Sequence, residues 1–308
     1  MHILFITSTY LGDAILSTGL LQTVLKKNPN AKITVACGPI AAPIFKHLPN
    51  LEKLIIIEKK KFSLHWVSLW LKTFFCLWDF VIDVRGTGIA FLLPAKKRKV
   101  WQSSKTERLK VHQIAAWFGL SKTPLNHIWT GKQHVAEAKK LLHPKHTYIA
   151  FSPAANWDKK CWPLTHFVSL AQKILKNPKT FPNPKFLILG TASQREEVDT
   201  LFQGLTEKHT INLMGKVDLL TLAECLKKCQ LFVGNDSGLM HLAAACGTPT
   251  LGLFGPSPVK VYGPWGQKTQ TVSLNEPLSH TFKRVEKGEN VMKDLSVEKV
   301  YNASKTLI

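Results

Sequence analysis

The sequence predicts an α/β protein built from two doubly wound, Rossmann-like domains. Short apolar runs rich in β-branched residues alternate with longer stretches of helical periodicity, a rhythm that implies parallel sheets covered by helices on both faces. The rhythm pauses at "HPKHT", residues 143–147, and then starts again, which predicts domains 1–145 and 146–308. The length of 308 residues lets each domain bury a core of its own.

The first half opens with a strand, "HILFIT", followed by the loop "STYLGD" and an amphipathic helix from Ala14 to Lys27 that "NPNAK" ends. "ITVACG", "KLIIIE" and "FVIDVRG" read as further strands, "PAKKRKVWQSSKTERLK" as a strongly basic loop, and "HQIAAWFGL" as a helix. In the second half, "TYIAFSP", "KFLILGT", "TINLMG", "LFVGND" and "TLGLFGP" read as strands. "LTHFVSLAQKIL", "SQREEVDTLFQGL", "DLLTLAECLKKC" and "SGLMHLAAAC" fit between them as helices. The last of these should run from Ser237 to Cys246, closed by Gly247 and stopped by Pro249. "LSVEKVYNASKTLI" reads as a final helix.

One segment is unusually apolar. "FSLHWVSLWLKTFFCLW", Phe62 to Trp78, is too short and too interrupted by His65 and Lys72 to span a membrane. As a helix it carries Ser68, Lys72 and His65 on one narrow stripe, and the rest is Trp, Leu and Phe. Either it is a core helix packed between layers, or its apolar face dips into a membrane interface.

Charge points to an anionic partner. Forty-one Lys and Arg against 20 Asp and Glu give +21, and the excess is uneven: residues 1–145 hold 22 basic and 7 acidic side chains. Nucleic acid, an anionic membrane surface or a polyanionic substrate would each suit such a protein. The start "MHILFIT" lacks the basic region and cleavage site of a secretory signal, and the six cysteines show no paired spacing. Both features fit a reducing cytosol. Cys225 and Cys229 are expected to share a helix face at i,i+4, but no second ligand pair accompanies them, so zinc is not expected.

Ligands of doubly wound sheets bind beyond the carboxyl ends of the strands. At the first such end, "TSTYLGDAILSTG" puts Gly12 and Asp13 at the mouth of a helix. Asp13 is either a helix cap, suited to the positive end of the dipole, or a carboxylate available as a general base. No G-x-G-x-x-G accompanies it, so a dinucleotide oxidoreductase is not indicated. In "SPAANWDKKCWP", Lys159 and Lys160 could direct a cation at a phosphate leaving group. In "GNDSGLMHLAAAC", the N–H groups of Ser237 and Gly238 are free to take an anion, and His241 shares a helix face with Ser237. Asp236 could cap the helix or accept hydrogen bonds from sugar hydroxyls. Asn235 needs no role beyond that of a turn residue.

"GDAILSTGLLQTVLKKNP", "FVIDVRG", "KKCWP", "GNDSGLMHLAAACGTPTLGLFGPSP" and "YGPWG" occur in the order found in glycosyltransferase family 9, and the chain resembles that family over nearly its whole length. The D-[ST]-G-x-x-H-x-A-A segment is the most specific part. The family includes the ADP-heptose:lipopolysaccharide heptosyltransferases. The resemblance implies a GT-B fold, two Rossmann-like domains facing a cleft, with an inverting mechanism, no cofactor and no essential metal.

Asp13 matches the family's catalytic base and Lys160 the lysine that steadies the donor phosphates. Asp236, Ser237, Gly238 and His241 match the donor-binding turn, and Met214 falls near the nucleotide base. The acceptor is expected on the basic first domain and the donor on the second. Gly12, Arg85, Lys96, Lys97 and Arg98, with Lys99 and Lys59–Lys61, are the candidates for contact with an anionic lipopolysaccharide acceptor or the cytoplasmic face of the inner membrane. The chain departs from the pattern at Ala154-Ala155, where small hydroxyl or glycine residues are usual, and in a C-terminal stretch without cysteine. A family member using another nucleotide sugar, or a basic RNA- or membrane-binding protein with a vestigial site, is the alternative. No nucleic-acid signature favours the latter.

Overall fold

The computed structural model describes residues 1–59, 61–102, 106–198 and 203–308, in two compact units, Met1–Gly131 and Lys132–Ile308. The first unit is a parallel five-stranded sheet in the order β3-β2-β1-β4-β5. Its strands are β1 His2–Ile6, β2 Lys32–Cys37, β3 Leu51–Ile56, β4 Trp78–Asp83 and β5 Ala95–Val100. Helices α1 Leu11–Lys27, α2 Leu64–Thr73 and α3 Lys110–Phe118 belong to the same unit. Strand β1 lies at the centre, with Ile3–Ile6 fully buried, which is why "HILFI" is a continuous apolar run rather than an alternating one.

Two expectations for this unit need correction. Helix α1 begins at Leu11, not Ala14, so Gly12 and Asp13 lie inside its first turn. The N-cap is Tyr10, in an extended conformation and without a side-chain cap, so Asp13 is not the cap residue. The basic "AKKRKV" is also not loop. It is the edge strand β5, its Lys97 and Lys99 in register with Phe80 and Ile82 of β4. Lysines on an edge strand discourage pairing with another chain, so a charge run and a strand are compatible there.

The second unit holds six parallel strands in the order β11-β10-β9-β6-β7-β8. They are β6 Thr147–Ser152, β7 Pro184–Ile188, β8 Thr210–Asn212, β9 Cys229–Asn235, β10 Thr250–Phe254 and β11 Thr269–Ser273. Its helices include α4 Lys132–Leu141, α5 Leu164–Leu175, α6 Leu219–Leu226, α7 Gly238–Ala245, α8 Val259–Tyr262, α9 Leu278–Glu286 and α10 Val297–Leu307. The division falls at Gly131/Lys132 rather than 145/146 because α4 packs on α6. Glu137 accepts a hydrogen bond from Thr221 Oγ1 at 2.8 Å, and His134 Nε2 lies 3.8 Å from Asp218.

Of the helix expected over "SQREEVDTLFQGL", the described residues show 3-10 turns at Ala192–Gln194 and Glu196–Val198 and α-helix at residues 203–204; residues 199–202 lie outside them. Cys225 sits on α6 whereas Cys229 opens β9, so the two do not share a helix face. Aromatic residues fill the centre of this unit. Trp162 meets Phe167 edge-on at 4.9 Å, Phe151 stacks on Phe186 at 5.0 Å, and the Trp162 indole donates to the Leu295 carbonyl at 2.8 Å.

One close approach constrains the first unit. A Cβ on Gly19 of α1 would lie 2.7 Å from the carbonyl oxygen of Leu125. Alanine is the better helix former by about 1 kcal/mol, but overpacking against backbone costs about 1–3 kcal/mol. Gly19→Ala is therefore expected to lower stability in a denaturant titration, and an unchanged or raised midpoint would show that the Leu125 segment yields freely.

Candidate functional site

Each sheet reverses its strand order once, and the crevice outside the strand ends at that reversal is where such sheets take ligands. In the second unit the reversal lies between β6 and β9. The loop leaving β6 carries the 3-10 turn Asp158–Lys160, and the chain leaving β9 runs through Asp236 and Ser237 into α7. Lys160 Nζ donates to Asp236 Oδ2 at 2.6 Å, an ion pair whose side chains are only 26% and 9% exposed. Its neighbour Lys159 turns away to the Gly288 carbonyl at 3.3 Å. Geometry thus separates the two adjacent lysines.

Asn235, which the sequence left as a turn residue, is fully buried at the end of β9. Its Oδ1 accepts from the Trp162 backbone N–H at 3.0 Å and its Nδ2 donates to the Pro153 carbonyl at 2.6 Å. One carboxamide therefore ties both ends of the lysine-bearing loop to the neighbouring strand. The available signal was an amide at a strand end, just before a charged residue.

Ser237 is the N-cap of α7, yet its hydroxyl makes no cap hydrogen bond and is buried without a partner. The hydroxyls of Ser152, which ends β6, and Ser257, beyond β10, are likewise buried and unpartnered. Gly238 opens the helix and His241 sits one turn further in, 5% exposed. The first N–H groups of α7 have no intrahelical partners, and a small anion can accept from them. Ammonium, helix start and unsatisfied hydroxyls suit a phosphorylated, hydroxyl-rich ligand. Met214 is not part of this cluster. It follows β8, two strands from β6, and is buried in the core beside Gly190.

In the first unit the reversal lies between β1 and β4. Here the first turn of α1 presents Gly12 and the half-buried Asp13. Lys110, unnoticed within a basic run, opens α3 with its Nζ 4.3 Å from the centroid of the Trp101 ring. Burial pushes the Lys110 ammonium below the ordinary lysine range, while the negative charge of Asp13 acts in the opposite direction. At the end of β4, Asp83 accepts from the backbone N–H groups of Arg85, Gly86 and Thr87 and from the Thr87 hydroxyl, at 2.7–3.0 Å. Burial raises the Asp83 carboxyl above the usual range, against the pull of those donors. This turn fixes Arg85, whose guanidinium lies 4.8 Å from the Trp66 ring centroid and whose Nη1 is buried without a hydrogen-bond partner.

Of the other cations expected here, Lys59 lies over the ring of Tyr10, the N-cap of α1, at 5.6 Å, whereas those of β5 do not gather. Lys96 pairs with Asp79 at 2.7 Å near the start of β4, the opposite end of the sheet. Arg98 bonds back to the carbonyls of Leu93 and Ala95, Lys97 lies over Phe80, and Lys99 bonds the Phe118 carbonyl. They sit along β5 because the run is a strand. Lys60 lies outside the described residues.

The family model for glycosyltransferase family 9 (heptosyltransferase) matches residues 92–292. The chain is 25% identical to the lipooligosaccharide heptosyltransferase 2 of Campylobacter jejuni, covering 100% of this chain and 98% of that one. It is 24% identical to the lipopolysaccharide heptosyltransferase 2 of Escherichia coli, covering 89% and 88%. Its fold is similar to that of the E. coli ADP-heptose LPS heptosyltransferase II, with a TM-score of 0.77 at 21% identity, over 100% of this chain and 98% of that one. A glycosyl transferase family 9 protein from Veillonella parvula gives 0.78 at 22% identity, over 99% and 96%.

Removing the Asn235 carboxamide strands a buried N–H and a buried carbonyl. Asn235→Ala is expected to cost about 2–4 kcal/mol in chemical unfolding, well above a typical surface substitution. A loss under about 0.5 kcal/mol would show that the loop is held by other contacts.

Proposed function

The chain belongs to glycosyltransferase family 9, the heptosyltransferases, and from that premise we propose that it moves a heptose from ADP-heptose onto the inner core of a lipid-linked lipopolysaccharide acceptor, inverting the anomeric centre. The observation that carries this reading is the half-buried Lys160–Asp236 pair beside the uncapped start of α7. The full-length likeness to curated lipopolysaccharide and lipooligosaccharide heptosyltransferases supports the choice of sugar and acceptor.

In this reading the second unit holds the donor. Lys160 and the N–H groups of Ser237 and Gly238 take the diphosphate, while the Ser237 hydroxyl, His241 and Asp236 face the sugar-phosphate portion. Met214 would close the nucleotide end from within the core. The first unit takes the acceptor, with Gly12 leaving room at the helix mouth and Arg85 offering its unpartnered guanidinium nitrogen to acceptor carboxylate or phosphate. Lys96, Lys97 and Arg98 contribute long-range attraction rather than contacts, since each is engaged on β5.

The chemistry is one displacement. The acceptor hydroxyl oxygen bonds to the anomeric carbon as its proton passes to the Asp13 carboxylate. The bond from that carbon to the diphosphate oxygen breaks, and its electron pair leaves with ADP. Lys160 and the α7 dipole stabilise the charge that grows on the leaving oxygen, a role a metal fills in other transferases. No cofactor enters. Asp236 holds the Lys160 ammonium in place before the donor arrives, so the cation need not be ordered during the reaction.

The acceptor's lipid anchor places the enzyme at the cytoplasmic face of the inner membrane as a peripheral protein. Among the described residues no helix is long and apolar enough to cross a membrane. Nucleic acid has no part in this reading.

Purified protein given ADP-heptose and heptose-deficient lipopolysaccharide is expected to form the heptosylated product, and failure to do so removes the heptose assignment. Asp13→Asn is expected to lower kcat by roughly 10²–10⁴, the usual range for general-base catalysis. Undiminished turnover in that variant would take the base role from Asp13. Lys160→Met is expected to lose roughly 10²–10³ in kcat, as when one preorganised charge-stabilising group is removed. A change confined to KM would make Lys160 a binding group only.

A further inference from the structure

We propose that the outward face of α2, together with the turn Gly88–Leu92, is the surface by which this protein lies on an anionic lipid bilayer; the proposal rests on the reading that the acceptor is lipid-linked. Helix α2 is apolar on two sides. Trp66, Leu69, Trp70 and Thr73 face the sheet, where Leu69 and Thr73 are buried and the two indoles are partly covered. Leu64, Val67, Leu71 and Phe74, spaced by three or four residues, form a second stripe that faces solvent. The stripe continues into Phe75, 87% exposed, and begins at Phe62, 93% exposed. Phe62 and Ser63 both adopt left-handed backbone conformations, which turn the chain into α2 and leave the Phe62 ring outside. The Trp70 indole donates to the Leu92 carbonyl, which brings up the exposed side chains of Phe91 and Leu92 beside the helix.

An exposed apolar stripe of this kind on a surface helix marks an interaction site. Charge selects the occupant. Lys61, next to Phe62, and Lys72, next to Leu71, are both exposed, with Glu58 the acidic residue that precedes them in sequence, while Lys59 lies over the Tyr10 ring. Exposed apolar side chains with Lys61 and Lys72 beside them match an interface of acyl chains beneath anionic headgroups, with ammonium groups rising to the phosphates. A second copy of this chain is a poorer partner, because a two-fold contact would set the same lysines against themselves. With only ten residues, α2 lies in the interface and does not cross it.

The test is co-sedimentation of the full-length protein with vesicles of phosphatidylethanolamine and phosphatidylglycerol, against vesicles of phosphatidylcholine alone. The wild type is expected to bind the anionic vesicles, more weakly as salt is raised. A Leu71→Ser/Phe75→Ser double variant changes only exposed side chains. It is expected to bind at least about tenfold more weakly, from the apolar area withdrawn from the acyl region. Heptose transfer to detergent-dispersed acceptor should be unchanged in the same variant. Equal vesicle binding by the variant and the wild type would overturn the proposal, as would no binding by the wild type. A dimer in sedimentation that the double variant dissociates would assign the face to a second copy. Vesicle binding through this face without heptose transfer would leave the proposal standing and remove the functional reading instead.

Discussion

The Asn235 carboxamide is the interaction on which the candidate donor site depends. A parallel sheet brings the carboxyl ends of β6 and β9 side by side, but the long loop after β6 could leave that end in many directions. Two hydrogen bonds from one buried side chain, to Pro153 and to Trp162, restrain that loop at both ends. Burial makes the restraint strong, since neither backbone group has water to fall back on. Lys160 then has little choice of position, and Asp236, one residue beyond Asn235, stands where the ammonium arrives. The aromatic core under Trp162 supports the same loop from below, so stability and site geometry share a set of contacts.

Much of this was legible in the residues, for physical reasons that differ from place to place. Parallel strands covered on both faces must be apolar throughout, so β1, β6, β9 and β10 show as continuous runs. The donor turn shows because polar residues interrupt such a run where the strand ends. Strand β5 does not show, because an edge strand is stabilised by pairing on one side and can carry lysines on its exposed face. Asn235 is hidden for another reason. Its role comes from partners 82 and 73 positions away, and no local pattern records them. Lys110 is similar: one cation in a basic run, distinguished only by the packing that partly buries it near Asp13.

The positive charge of the first unit resolves into groups with different duties. On β5 it is spent on edge-strand character and on partners within the sheet. At the β1–β4 reversal Arg85 is held by a rigid turn and retains an unmet hydrogen-bonding group. Beside α2 the lysines border apolar side chains. A single net charge would have merged these environments. The last two are joined by Trp66, whose ring contacts Arg85 while its helix carries the apolar stripe.

The Ser237 hydroxyl leaves α7 without the cap its sequence offers. A serine at an N-cap ordinarily bonds its own helix and contributes about 1 kcal/mol to folding. Here that bond is not made: the Ser237 hydroxyl is buried without a partner at the half-buried start of α7. The start of α7 is thus less stabilised than a capped helix, beside the Lys160–Asp236 pair. An anion held there, as the proposed reaction requires, would stabilise the folded chain by mass action, so occupancy and folding would be linked equilibria.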